Sequence, residues 1–301
     1  MIRFDDLTSL DQFHQVERLE GEIWGPIDLV PVPILAVTVR RGAVLVGAYD
    51  GPRLVGFVYS FPALRRSTVN HQPSTVNPVP SHWSHMLGVH PDYRGTGLGR
   101  DLKLVQRKRV LALGLDLIEW TYDPLQALNA NLNFVSLGVI VEEYEENVYG
   151  ESASPLHGGL PTDRFVCQWW IRRPHVERRV TRAAQGTSPD RDAEATVGQI
   201  PLVAHEVAAA PVVNGTRVDG AWLDCLGANL DLTDPRVTVD IPLDYTGMLA
   251  RDVDRAKRWR FHSREIFTRY FAAGYRVVDF ALLRDLHRGR YLLTSIPPAA
   301  D

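Results

Sequence analysis

The sequence predicts an α/β protein, on three observations. An apolar strand, His82–Val89, runs into a glycine-rich loop and a long helical stretch, Gly97–Leu113, after which a second apolar strand follows at Leu115–Thr121. Strand, helix, strand is the repeating unit of α/β architecture. Upstream, the apolar runs Val44–Ala48 and Leu54–Phe61 flank Tyr49-Asp50-Gly51-Pro52-Arg53, which has the composition of a turn between two strands. Downstream, a helical stretch at Met248–Ala273 is followed by a strand pattern at Arg276–Leu283.

Each element has a local cause. Phe13, Val16, Leu19 and Ile23 recur at helical spacing through Leu10–Trp24, with Ser9 placed to cap the helix. Gly114 stands just past the Gly97–Leu113 helix, where a left-handed residue ends a helix at least cost. The stretch from Arg172 to Gln199 is rich in charge and small polar residues and reads as a linker. It divides the chain into a first domain at 1–173, a linker at 174–199 and a C-terminal α/β region at 200–301. In that region Arg217–Leu226 and Arg236–Ile241 read as extended. Leu249, Val253, Ala256, Trp259, Ile266 and Tyr270 place a helix over Met248–Ala273, closed by Gly274. Strands follow at Arg276–Leu283 and Arg290–Thr294.

Composition narrows the function. The 301 residues are 45% hydrophobic and 23% charged, with a formal charge of −3, so no general basic field draws in nucleic acid or an anionic membrane. The N-terminus lacks the apolar core of a signal peptide, and no run of about 18 apolar residues exists to span a bilayer. A cytoplasmic protein is expected. Cys167 and Cys225 both sit among apolar neighbours and read as reduced, buried thiols. The ten histidines form no metal-ligand spacing, and no metal is expected.

The informative segment is Val89-His90-Pro91-Asp92-Tyr93-Arg94-Gly95-Thr96-Gly97-Leu98-Gly99-Arg100. Alternating glycines between a strand and a helix let successive backbone N–H groups point toward one anion at the positive end of the helix dipole. A dinucleotide fingerprint beginning at Gly95 would need glycine where Arg100 stands, and a nucleotide-hydrolysing P-loop would need Lys and Ser or Thr after Gly99, where Arg100 and Asp101 stand. On the helix beyond, Arg100, Lys103 and Arg107 fall on one face, either toward an anionic ligand or as an ordinary solvated surface.

The pattern R-x-x-G-x-G, filled by Arg94, Gly97 and Gly99, resembles the pyrophosphate-binding motif of GNAT acyltransferases, and the resemblance extends over most of residues 1–173. It implies a mixed, mostly antiparallel sheet with helices on both faces, acetyl-CoA or another acyl-CoA as co-substrate, and transfer of an acetyl or succinyl group to the amine of a small molecule. By the same likeness, Leu87, Val89, Arg94, Gly95, Thr96, Gly97, Leu98, Gly99 and Arg100 hold the cofactor, with the loop strand splayed from its neighbour to receive the acyl group and pantetheine arm. The family's closing helix often carries a tyrosine that protonates the departing thiolate. Aligned on Ala130 and Gly138, Phe134 takes that place here, leaving Asn129, Asn131, Tyr122 or water as substitutes, and Asn129 and Phe134 are expected to line the cofactor. The run WTYDPLQALNANLNF, with YGE and GLPTDRF, resembles two-part members of the family, some associated with N-acylation of amino acids. The order helix, Gly274-Tyr275, strand suggests a degenerate second GNAT-like unit at the C-terminus.

Thioester aminolysis needs a neutral amine, a stabilised oxyanion and a discharged thiolate. His85, on the loop strand, is placed as candidate base, with Glu119 and Asp123 on the next strand and its end to relay the proton or hold the ammonium; a packed core histidine, a solvent-facing glutamate and a turn-starting aspartate stay open as their other readings. For the acceptor, Arg164 is the candidate partner of a carboxylate, and Trp24 and Tyr149 are candidate walls, although aromatic packing explains the latter two equally well. The partners expected are therefore a small-molecule amine and a second copy of the chain. The rival function is a non-catalytic acyl-CoA-binding sensor.

Overall fold

The structure, a computed structural model, describes residues 1–27, 29–65, 68–69, 72–73, 78–150, 158–184, 207 and 209–296. The chain forms two compact units, one of Met1–Trp120 with Trp169–Arg173, the other of Thr121–Gln168 with Pro174–Asp301.

In the first unit, strands β1 (Ile2–Asp6), β2 (Val44–Asp50) and β3 (Arg53–Arg65) precede a two-residue pair, β4 (Thr68–Val69) and β5 (Gln72–Pro73), and then β6 (Val79–Val89) and the start of β7 (Leu117–Tyr122). Their order is β1-β2-β3-β6-β7, antiparallel except for β6 and β7. Helix α1 (Leu10–Trp24) starts where expected: Ser9 Oγ accepts from Gln12 N–H while Gln12 Oε1 accepts from Ser9 N–H, a reciprocal cap. With α2 (Val32–Val39) it covers one face of the sheet, burying Phe13, Val16, Leu19 and Leu35 against Phe57 and Tyr59. Helix α3 (Leu98–Ala112) covers the other face. A Cβ on Gly56 would lie 3.1 Å from Leu102 Cδ1, so the bare glycine lets α3 approach β3. The expected mixed, mostly antiparallel sheet with helices on both faces is present here.

The second unit contains the end of β7, α4 (Ala127–Ala130) running into a π-helix (Asn131–Leu137), β8 (Ile140–Glu145), most of β9 (Arg164–Trp170) and α5 (Pro174–Ala184). A hairpin of β10 (Asn214–Asp219) and β11 (Trp222–Ala228) follows, then β12 (Arg236–Pro242), α6 (Tyr245–Arg251), α7 (Val253–Ala272), β13 (Arg276–Leu283) and β14 (Arg288–Thr294). The strand order β9-β8-β13-β14-β12 is antiparallel throughout, and β13 joins β8 through Val277 opposite Val141. The C-terminal strands thus complete a sheet that β8 and β9 begin, rather than closing one of their own. Its core is aromatic, with Phe165 and Phe267 rings 4.6 Å apart and Tyr291 against both.

Three expectations change. Arg217–Leu226 is not one strand but most of a hairpin, turning at Gly220 with φ of 61°. The helix over Met248–Ala273 is two helices: Asp252, at φ −147°, breaks the first and its carboxylate caps the second at Arg255 N–H, 3.0 Å. The first eleven residues of the expected linker form α5, with Pro174 opening it and Val176 buried, whereas 185–199 lie outside the described residues.

Candidate functional site

In the first unit, β6 delivers the chain to a single 3₁₀ turn, Pro91–Tyr93, braced by Tyr93 Oη donating to Asp50 (2.8 Å). The loop then reverses through Gly95 and Gly97, at φ 75° and 91°, which disfavour any side chain. Thr96 Oγ1 donates to Tyr93 O (2.7 Å) and Arg94 Nε to Val89 O (3.4 Å), fixing the loop from within. Gly97 is the N-cap of α3 and supplies no side-chain acceptor, so the first amides of this fifteen-residue helix are left for a ligand. Gly99 keeps the approach open: a Cβ there would come no closer than 3.8 Å to Leu87 and Val89, which lie beneath the loop. Arg94 is exposed, Arg100 lies beside Gly97 with Asp101 as its ion partner at 3.1 Å, and Leu98 is buried.

The strand leading to this loop is paired on one side only for much of its length. Against β3 the ladder runs from Val79 to Val89, with a bulge that sets His85 between partners of Tyr59 and Ser60. Against β7 it consists of His82 opposite Ile118 and Trp83 opposite Glu119. Beyond Trp83 no further β6–β7 register exists among the described residues, so the backbone groups of β6 on that side remain unpaired by strand. The expected splay is there.

His85 sits at the bulge, exposed, with its ring 6.0 Å from Tyr59 and 5.8 Å from Phe61. Crowding by these rings desolvates the imidazole and lowers its pKa, which keeps it neutral at neutral pH. Trp24 packs edge-on against Phe57 on the same face of the sheet. Glu119 is nearly buried and ion-paired to Arg65 Nη1 at 2.7 Å, so its carboxylate is engaged. Also on this face, and absent from the sequence-based candidates, is Glu20. It is fully buried, one carboxylate oxygen accepts from Val30 N–H (3.0 Å), the other has no partner among the described residues, and burial pushes its pKa up to about 7.

Lys103 and Arg107 fit neither of the two roles their spacing allowed. Lys103 is buried, with Nζ donating to Ser84 Oγ (2.8 Å) and lying 3.8 Å from the Trp120 ring centroid, while Arg107 donates to Ile171 O from Nε (3.0 Å) and from Nη2 (2.6 Å). Helical spacing put them on one face correctly; that face is the one α3 turns to the sheet.

In the second unit, Asp123, Tyr149 and Arg164 come together. Arg164 Nη1 is 3.9 Å from Asp123, and its guanidinium carbon is 5.2 Å from the Tyr149 ring centroid. Tyr149 is exposed, with its hydroxyl 3.1 Å from Thr121 Oγ1. Asp123 accepts from Leu125 N–H with one oxygen and from Arg260 with the other, which makes it an ion-pair anchor rather than a free carboxylate. Asn129 is exposed. Phe134 is fully buried with its ring 5.7 Å from Tyr291, and its carbonyl accepts from Arg179, so its side chain belongs to the core of this unit. The stretch that carries it, Asn131–Leu137, winds as a π-helix, and the Tyr291 ring it packs on comes from far along the chain. Arg260, Arg264, Asp163, Tyr144 and Tyr245 surround this group, and the only sequence signal for them was the spacing of Arg260 and Arg264 on one helix face. Among the described residues no cluster of potential metal ligands occurs, and no helix is long and apolar enough to cross a membrane.

No protein-family model matches the chain, and no curated protein is significantly similar to it. Among solved structures, the chain is similar to a Desulfovibrio desulfuricans protein assigned to the GNAT acetyltransferase family (13% identity, TM-score 0.41, covering 57% of this chain and 99% of that one). It is also similar to the ribosomal-protein-S18-alanine N-acetyltransferase of Escherichia coli (15%, 0.43, 57% and 96%) and to Arabidopsis thaliana NAA60 in complex with acetyl-CoA (15%, 0.44, 57% and 100%).

Proposed function

We propose that the chain is an acyl-CoA-dependent N-acyltransferase of the GNAT type, moving an acetyl or succinyl group to the amine of a small molecule, an amino acid by its resemblance to the two-part members. One observation carries the reading: the uncapped, glycine-lined start of α3 lies directly after a strand whose ladder with β7 ends at Trp83. A pyrophosphate suits the amides and dipole of the first. An extended amide chain such as pantetheine suits the unpaired edge of the second, as an added strand would. Leu87 and Val89 would carry that edge, and Arg94, Gly95, Thr96, Gly97, Leu98, Gly99 and Arg100 the phosphates.

The chemistry is attack of a neutral amine on the thioester carbonyl, collapse of the oxyanion and departure of the CoA thiolate. The amine loses one proton and the thiolate gains one. His85 is the assigned base, because its imidazole is exposed, neutral and set at the bulge. Glu119 and Asp123 serve as ion-paired braces, holding Arg65 and Arg260 respectively. With Phe134 in the core, protonation of the thiolate falls to water. Trp24, packed against Phe57, would wall the acceptor. Incubating the protein with acetyl-CoA or succinyl-CoA and pooled amines, and titrating free thiol, tests the proposal. Amine-dependent thiol release is expected; tight binding of the thioester without release would make the chain a sensor and overturn it.

A further inference from the structure

We infer that the second unit contains a carboxylate-binding site built on Arg260. This residue, on α7, is only 3% exposed, yet its Nε and Nη1 have no hydrogen-bond partner among the described residues. A guanidinium cannot shed its charge to relieve this, and the neighbouring Asp123 raises its pKa further against the opposing effect of burial. Buried donors of a charged group left unpaired are costly enough that native structures almost always supply an acceptor.

The polar groups around it are held by other contacts. Asp123 receives Arg260 Nη2 and Leu125 N–H. Asp163, fully buried, receives Tyr144 Oη (2.7 Å) and Arg264 Nε (2.8 Å) on one oxygen, and Arg264 Nη2 (2.6 Å) and Asn147 N–H (3.0 Å) on the other. Tyr245 presents its ring to Arg260 at 5.3 Å while its hydroxyl donates to Ala256 O. The guanidiniums of Arg164, Arg260 and Arg264 thus lie among the carboxylates of Asp123, Asp163 and Glu146, the last 3.1 Å from Arg264 Nη1. Among the described residues none of the three carboxylates takes a hydrogen bond from Arg260 Nε or Nη1. A carboxylate is the class that fits: planar, singly charged, and matched to donors in the plane of a guanidinium. Arg164, 11% exposed by its side chain and lying over the exposed Tyr149 ring, is the way in from solvent.

This anion site does not rest on the proposed acyltransferase function. The test therefore omits acyl-CoA. Full-length protein labelled with ¹⁵N-arginine is titrated with succinate, with glutamate, with glutamate dimethyl ester and with inorganic phosphate, following the Arg260 Nε–H resonance and the melting temperature. Saturable shifts with succinate or glutamate, absent with the ester, are expected. Arg260→Lys, which keeps the charge and the bond to Asp123 but loses the planar donors, should weaken binding at least tenfold. Arg164→Gln should do so at the entrance without touching the buried pair, and it serves if the lysine variant does not fold. No saturable response to either carboxylate overturns the site, and a response to phosphate alone overturns its assignment to carboxylates. Carboxylate binding without any thiol release from acyl-CoA would sink the acyltransferase reading and leave this one standing.

Discussion

Replacing Glu20 with glutamine should remove most of a fall in stability that the wild-type protein shows as the pH rises through the weakly acidic range. In the unfolded chain this carboxyl ionises near its ordinary value of 4.5, and in the folded state at about 7, because burial raises it more than the bond from Val30 N–H lowers it. The folded state therefore holds a proton the unfolded state has lost. The resulting stabilisation is complete below about pH 4.5 and is lost as the pH passes through about 7. The gap corresponds to about 3 kcal/mol, and Glu20 is fully buried, so no screening by solvent reduces it. Glutamine keeps a carbonyl for Val30 N–H and cannot ionise. Urea unfolding of both proteins at closely spaced pH values between 4 and 8 measures the effect. The variant should gain on wild type by roughly 3 kcal/mol across the window, or about 6–10 °C in melting temperature. Parallel stability curves for the two proteins would refute the assignment of a buried, proton-holding carboxyl to this position.

Three further outcomes are expected. Gly99→Ala should fold normally, since the nearest atoms to the new Cβ lie at 3.8 Å, but should weaken CoA binding by about tenfold or more in equilibrium titration, because the methyl occupies the phosphate approach. His85→Ala should lower kcat/KM by about 10²–10⁴, and the acid limb of the wild-type pH profile should fall below the ordinary histidine value of 6.5, since desolvation lowers this pKa; an unchanged profile in the variant removes His85 from the chemistry. Gly88→Ala should cost about 1–3 kcal/mol by thermal unfolding, because its Cβ would lie 2.6 Å from Phe57 and 3.0 Å from Ile23 in a filled core.

What could be read from the sequence follows how locally each feature is encoded. Helix α1 was legible to the residue because apolar spacing and Ser9 as its cap agree. The glycine loop was legible because backbone conformation at Gly95 and Gly97 is written in residue type. Strand β1 (IRFDD) alternates too weakly to stand out, and α2 (VPILAVTV), apolar all round and β-branched, has no helical periodicity to detect. The orientation of a helix face is a tertiary property, which is why Lys103 and Arg107 looked like surface cations and prove to be buried ones. The packing of Phe134 on Tyr291 joins residues far apart in the chain, which no local residue pattern announces. The arginine group around Asp123 and Asp163 joins residues more than a hundred positions apart, and single-sequence spacing carries no signal at that range.

The pairing of Val277 with Val141 has a consequence for biosynthesis. Strands β8 and β9 emerge from the ribosome more than a hundred residues before β13 and β14, yet all four belong to one sheet. Until the chain is complete, β8 has its β9 partner and an open edge on the other side, of the kind that recruits foreign strands. A fragment ending at residue 173, where composition alone would place a boundary, would keep that edge open permanently and should aggregate in expression trials. Only the complete chain supplies the strand that protects it.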